Sequence, residues 1–274
     1  MTDAVLPPAV TAPSRSTLPP RLERPNALAF LLYLLAAGFL MSAVDGVGLS
    51  LPQLLDGLPS IGRILSDMMP PDLGRLGFVG WALLQTFQMA LVGTALGVLL
   101  SFPLAILATR HLTPHPALYV ASRALISFFR TVPDLVWALV FVIAVGLGPF
   151  SGTLALMIDT IGFCGRFFAE AMEESDKGPQ EALSALGSSR LGIVFSAVMP
   201  AALPSFVNTS LFCLEKATRA SVVLGLVGAG GIGIELKVAM DLFDYDQAAT
   251  IILAIFALVL VVEQASAALR RRLL

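Results

Sequence analysis

The sequence predicts an all-α, polytopic membrane protein with about six transmembrane helices. Three observations lead there. Of 274 residues, 57% are apolar and only 13% charged, about half the charge with which a soluble domain covers its surface. Apolar runs recur along the chain, and no charged residue stands between Arg75 and Arg110, more than the roughly 20 residues that cross a bilayer. Basic residues flank the runs: Arg15, Arg21 and Arg24 precede the first, and Arg270, Arg271 and Arg272 follow the last. A net charge of −2 beside such apolar content excludes a disordered chain. No basic patch interleaved with aromatics points to nucleic acid.

Residues 1–26 carry Pro7, Pro8, Pro13, Pro19, Pro20 and Pro25 among Ser, Thr and Arg. This composition neither forms a helix nor buries a core, and it reads as a disordered cytoplasmic tail. Residues 27–44 form the first transmembrane helix. The run is long for a signal-peptide core and lacks a small-residue cleavage site, so it reads as a retained span. Residues 45–77, mixed in charge and punctuated by Pro and Gly, read as a periplasmic loop.

Residues 78–274 read as a five-helix core. The uncharged stretch before Arg110 exceeds one crossing, so its helix is tilted or begins at the interface, and Pro103 kinks it. The third helix is expected over Leu118–Leu147, bent at Pro133. A tight turn, Gly146-Leu-Gly-Pro-Phe-Ser-Gly152, separates it from a fourth helix over Thr153–Ala169. A polar loop spans 170–200. The fifth helix is expected over Leu203–Val227 and the sixth over Gln247–Leu269, joined by a Gly-rich, acidic connection. Lys and Arg concentrate in the N-terminal tail, the 109–130 region and the C-terminus. That bias places both termini in the cytoplasm and requires an even number of crossings, which six satisfies.

The 170–200 loop is the most informative segment. Gly178-Pro179 reads as a helix start, with Glu181 in the first turn and Gly187 as the stop. Ala182, Leu183 and Leu186 fall on one face. Two turns of helix do not stand alone in water, so the flanking spans or a partner must hold them. The order and spacing of Glu181-Ala182-Leu183, Gly187 and Pro200 resemble the Glu-Ala-Ala…Gly…Leu-Pro loop of ABC importer permeases. Leu183, Ala197 and Met199 depart from that pattern conservatively.

From about Phe78 to Leu274 the chain resembles the phosphonate ABC transporter permease family. The matching blocks are Arg130-Thr-Val-Pro-Asp-Leu-Val, Gly146–Gly152, Phe168-Ala-Glu-Ala-Met-Glu-Glu, Val223-Leu-Gly-Leu-Val-Gly-Ala-Gly-Gly-Ile-Gly and Leu242-Phe-Asp-Tyr-Asp-Gln. The resemblance implies a type I, MetI-like permease core and alternating access. It implies a second permease copy, two cytoplasmic ATPase subunits and a periplasmic substrate-binding protein. Glu181, Ala182, Leu183, Leu186 and Gly187 would couple the chain to the ATPase, and Gly228, Gly230, Gly231 and Gly233 would belong to the gate region. The expected function is import of phosphonates across the bacterial inner membrane, with phosphite or phosphate as the alternative. An ion-coupled secondary transporter using Asp134 or Asp159 is the rival from another class.

Gly228-Ala-Gly-Gly-Ile-Gly233 also satisfies the dinucleotide pattern G-x-G-x-x-G, but that motif needs a preceding strand and a distal acid. A close-packed bend fits a site after a membrane span better. No lysine is followed by Ser or Thr: Gly178, Ala217 and Val238 follow the three. A P-loop is therefore excluded, and ATP with its magnesium is expected on a partner; the chain is expected to bind no cofactor and to be no enzyme. His111 and His115 share one short turn without hydrolase or metal partners, so no metal site is expected. Cys164 and Cys213 lie in apolar segments and read as small buried hydrophobes. Glu215, Lys216 and Arg219 stand inside the fifth span, where charge is costly. The four-residue spacing of Glu215 and Arg219 permits an ion pair. Helix packing is one reading of these charges and a pathway role the other, with Lys216 or Arg219 assisting an anion.

Overall fold

The computed structural model describes residues 26–273, whose regular elements are all helices, with no strand among them. The expected disordered tail lies, but for its last residue, outside the described residues. Contacts divide the chain into a unit ending at Ser60 and one beginning at Ile61.

In the first unit, α1 (Ala27–Val47) starts at Asn26, whose side-chain oxygen accepts from Ala27 N at 2.7 Å, and ends at Gly48 in the left-handed region. Its mean hydropathy is 2.3 and none of its side chains is buried, which fits a lipid-facing span. The expected loop of residues 45–77 is corrected in its middle, where α2 (Leu51–Asp67) forms. Leu51, Leu54, Leu55, Leu58, Ile61 and Leu65 recur at helical spacing, and that stripe outweighs the Pro and Gly that suggested a loop. Pro52 falls in the first turn, where no N–H is needed.

The second unit is built around α3 (Leu76–Leu107) and α6 (Pro149–Glu174). Its 32 residues make α3 about 48 Å long. The two helices meet through small residues. A Cβ on Gly97 would stand 2.5 Å from the Thr160 Cβ, and one on Gly93 would stand 2.9 Å from that of Leu156. Only glycine permits this approach. Between them the third span is broken into α4 (Pro116–Thr131) and α5 (Asp134–Val145), bent by 90°. Pro133 has no N–H to continue the helix and forces Val132 into an extended conformation with ψ of 121°.

Helix α6 continues to Glu174, five residues past its expected end at Ala169. The expected 170–200 loop is mostly helix as well: α7 (Lys177–Ala185), α8 (Arg190–Ile193), a π turn (Val194–Val198) and the start of α9 (Met199–Gly225). Charge there marks an exit from the bilayer rather than an end of helix. The π turn ends two residues before Pro200 and so spans the carbonyls that face its ring. Its wider i→i+5 spacing makes room for a ring that would clash with an ordinary preceding carbonyl. Then α10 (Ile232–Asp241) leads to α11 (Tyr245–Leu273). Among the described residues five helical stretches are long and apolar enough to cross a membrane, or six where the bent α4–α5 pair counts as one span.

Phe102, Phe168 and Phe206 form the centre of one core cluster, with ring centroids 4.6–5.4 Å apart. Beside them the buried, free Cys164 and Cys213 touch across α6 and α9, Sγ to Sγ at 3.2 Å.

Candidate functional site

The segment expected to couple to an ATPase follows α6 as α7. Asp176 caps α7 by accepting from Gly178 N at 3.0 Å, so the helix begins at Lys177, and Pro179 stands third in it. This corrects the expected start at Gly178-Pro179 and moves Glu181 out of the first turn. The Gln180 amide donates back to Ser175 Oγ and the Asp176 carbonyl, both at 3.0 Å, and Gln180 is the one buried residue of α7. At the far end Gly187 adopts φ of +77°, and Gly187 N and Ser188 N donate to the Ser184 and Leu183 carbonyls. This paired pattern closes the helix and needs a left-handed residue at Gly187.

Of the five expected coupling residues, Leu183 is half-buried while Glu181, Ala182, Leu186 and Gly187 are exposed. Leu186 is 82% exposed, an apolar side chain displayed rather than stored. The base of the segment is held by Glu173, which accepts from Arg110 N at 3.0 Å and Arg123 Nη2 at 2.8 Å. Arg123 Nε donates to the Ala108 carbonyl, and Arg190 Nη1 reaches the Thr113 carbonyl. Together these tie the end of α6, the start of α8 and the body of α4, the elements around α7, to the α3–α4 turn. A cavity of about 300 Å³ lies between that turn and α7, lined by His111, Lys177, Gln180, Glu181 and Arg190. Burial there, opposed by Glu173 and assisted by Lys177, holds the His111 pKa below its ordinary value. Sequence reading missed Asp176 and Glu173 as the anchors. Asp176, just before a Lys-Gly-Pro start, carried the capping signal.

The expected Glu215–Arg219 pair does not form. Glu215, 7% exposed, is paired with Arg270 of α11, while Arg219 Nη1 lies 3.5 Å from Glu263. Helix α11 brings an opposite charge to each, which spacing along α9 alone does not reveal. Lys216 Nζ sits 2.8 Å from both carboxylate oxygens of Asp159 on α6 and 5.3 Å over the Phe163 ring.

Of the four glycines expected in the gate region, Gly228, Gly230 and Gly231 make a bend between α9 and α10, and Gly233 stands in the first turn of α10. Gly228, Gly230 and Gly231 have φ of +90°, +90° and +75°, which favours glycine. A Cβ on Gly233 would stand 2.0 Å from the Val222 carbonyl oxygen. The bend is held by Gly148 N donating to the Gly228 carbonyl at 3.0 Å, and by Gly231 N and Ile232 N donating to Gln85 and Thr86 of α3. Helix α9 rather than a strand precedes it, so the dinucleotide-binding geometry is missing. Among the described residues no group of three or more His, Cys, Asp and Glu is placed to hold a metal.

A bundle of apolar spans with paired internal charges and a capped helix between α6 and α9 fits an integral membrane permease, and the family match makes it one of the ABC importer class. The chain belongs to the family of binding-protein-dependent transport system inner membrane components, which matches residues 97–274. It is 40% identical over 220 residues to the phosphite transport system permease protein PtxC of Stutzerimonas stutzeri, covering 80% of this chain and 79% of that one. It is 43% identical over 216 residues to the phosphate-import permease protein PhnE of Mycolicibacterium smegmatis, and there the match spans 78% of this chain but 40% of the relative. Its fold is that of the MetNI methionine ABC transporter in an inward-facing conformation, with a TM-score of 0.65 and 21% identity over 73% of this chain and 98% of that one. The chain is thus a multi-pass membrane subunit of MetI-like fold in a family of import permeases.

Proposed function

We propose that the chain carries phosphonates, or the smaller phosphorus oxyanions phosphite and phosphate, across the bacterial inner membrane. ATP is hydrolysed on a separate subunit. The observation that carries the substrate class is the 40% identity to a phosphite permease over four-fifths of both chains. The working unit is two copies of this permease, two cytoplasmic ATPase subunits and a periplasmic binding protein that selects the solute. Both termini and α7 face the cytoplasm, an orientation supported by the basic residues of the α3–α4 turn and of the end of α11. ATP and magnesium are held by the partner, since no lysine here is followed by Ser or Thr.

In this mechanism closure of the ATPases displaces α7, whose exposed Leu186 and Ala182 seat in the partner. Glu173 and Arg123 pass that displacement to α4 and α6. The bundles of the two copies rock, and access alternates. The chain makes and breaks no covalent bond.

Uptake of methylphosphonate, phosphite and phosphate into proteoliposomes bearing permease, ATPase and binding protein tests the proposal. Import of one of the three, dependent on ATP, is expected. Import of methionine in their place would overturn the substrate class.

A further inference from the structure

A second cavity of about 300 Å³ opens between α6, α9 and α11, lined by Phe163, Phe167, Asn208, Thr209, Phe212 and Arg270. Its walls are aromatic: the Phe163 ring lies 4.6 Å from that of Phe167 and 5.6 Å from that of Phe212. Its polar groups are hydrogen-bond donors with spare capacity. Among the described residues neither the Asn208 amide nor the Thr209 hydroxyl has a hydrogen-bond partner, and of the Arg270 fork only Nη2 is engaged, by Glu215. Thr209 differs here from its neighbours on the same helix, since Ser210 and Thr218 donate to the carbonyls four residues before them.

Cations surround the aromatic walls. Lys216 stands over Phe163, and Arg130 stands 6.0 Å over Phe167 with no carboxylate partner among the described residues. Two helical turns from Phe212 on α9 and from Arg270 on α11 stand Arg219 and Glu263, 46% and 47% exposed. Charges so exposed within apolar spans do not face hydrocarbon; they face water or protein.

We propose that this cavity is a transient site for a small tetrahedral oxyanion on its way through the permease. The oxyanion takes donors from Asn208, Thr209 and the free edge of Arg270, and a short organic substituent lies against the phenylalanines. Arg supplies the fork geometry suited to such an anion. Arg130, which has no carboxylate partner among the described residues, leaves a positive charge beside the aromatic wall without closing on the ligand, while Asp159 neutralises Lys216; a site of passage requires a pull of that limited kind. The ligand class rests on the phosphorus-oxyanion reading above; the cavity and its open donors do not.

The test uses the permease–ATPase complex in detergent, without binding protein, with methylphosphonate and inorganic phosphate as probes and ³¹P line broadening as readout. Thr209→Val and Asn208→Leu are combined, since both leave the Arg270–Glu215 pair intact; Arg270→Lys is a second variant. Broadening by the wild type, at least fivefold weaker in the double variant and partly kept in Arg270→Lys, is expected, with a matching fall in proteoliposome uptake. Equal broadening in wild type and double variant, or none in either, overturns the site. So does dissociation of the double variant on gel filtration, which would make the cavity an interface between copies. If the probes broaden through Asn208 and Thr209 but the full system imports no phosphorus oxyanion, the site stands and the substrate reading falls.

Discussion

Gly187 offers a perturbation whose magnitude follows from geometry alone. Its φ is +77°, and no atom lies within 4 Å of where a Cβ would stand. A side chain therefore meets open space, and the whole cost of substitution is the backbone conformation. For alanine that cost is about 1 kcal/mol, which lowers the population of the closed α7 terminus about fivefold. Valine, β-branched, costs about 2 kcal/mol or more. Asparagine, larger than alanine but tolerant of the left-handed region, costs a few tenths. The expected order is Gly, then Asn, Ala and Val, which is not the order of size. Hydrogen exchange at Leu186 and Ser188, whose amides donate to the Ala182 and Leu183 carbonyls, reads the helix end directly. ATP-driven uptake should fall in the same order. Ala outperforming Asn, or Val matching Gly, would refute the reasoning.

Other expectations follow from the same structure. Asp159→Asn and Lys216→Met each strand a partly buried charge that is now held at 2.8 Å, and each should lower stability in mixed micelles by about 3 kcal/mol. The double variant should recover most of that loss; additive losses would contradict the pairing. Gly233→Ala drives a Cβ to 2.0 Å from the Val222 carbonyl oxygen, so the melting temperature should drop by the equivalent of about 1–3 kcal/mol or more. For His111, burial favours the neutral imidazole and lowers the pKa from 6.5. Stability is therefore full above that value and is lost as pH falls through it toward the depressed folded value. Protection of the α3–α4 turn amides, after correction for the intrinsic pH dependence of exchange, should fall as pH is lowered through the ordinary histidine range, and His111→Gln should flatten that response.

The spans were legible because their signal is composition, which survives without knowledge of neighbours. The glycine bend was legible for a similar reason: four glycines in six residues have few structural uses after a span. The segment after Asp45 was misread because Pro and Gly were weighed above the apolar stripe from Leu51 to Leu65. Within 170–200 the short helix was legible from its start and stop residues, and α7 covers Lys177–Ala185, but Glu170–Glu174, whose charge suggested loop, simply extend α6 beyond its apolar part. Charge pairing was least legible. Glu215 and Arg219 share a face of α9, yet their partners Arg270 and Glu263 lie 55 and 44 residues away, a relation set only by how α11 packs.

In the proposed mechanism motion enters this permease through α7 from a separate ATPase subunit. Proteoliposomes holding this chain alone, or with its ATPase and binding protein, measure that directly through ATP-dependent accumulation of phosphite or methylphosphonate. Accumulation only in the complete system, and its loss there on Leu186→Asp, is the predicted result. Accumulation by the lone chain would contradict the account.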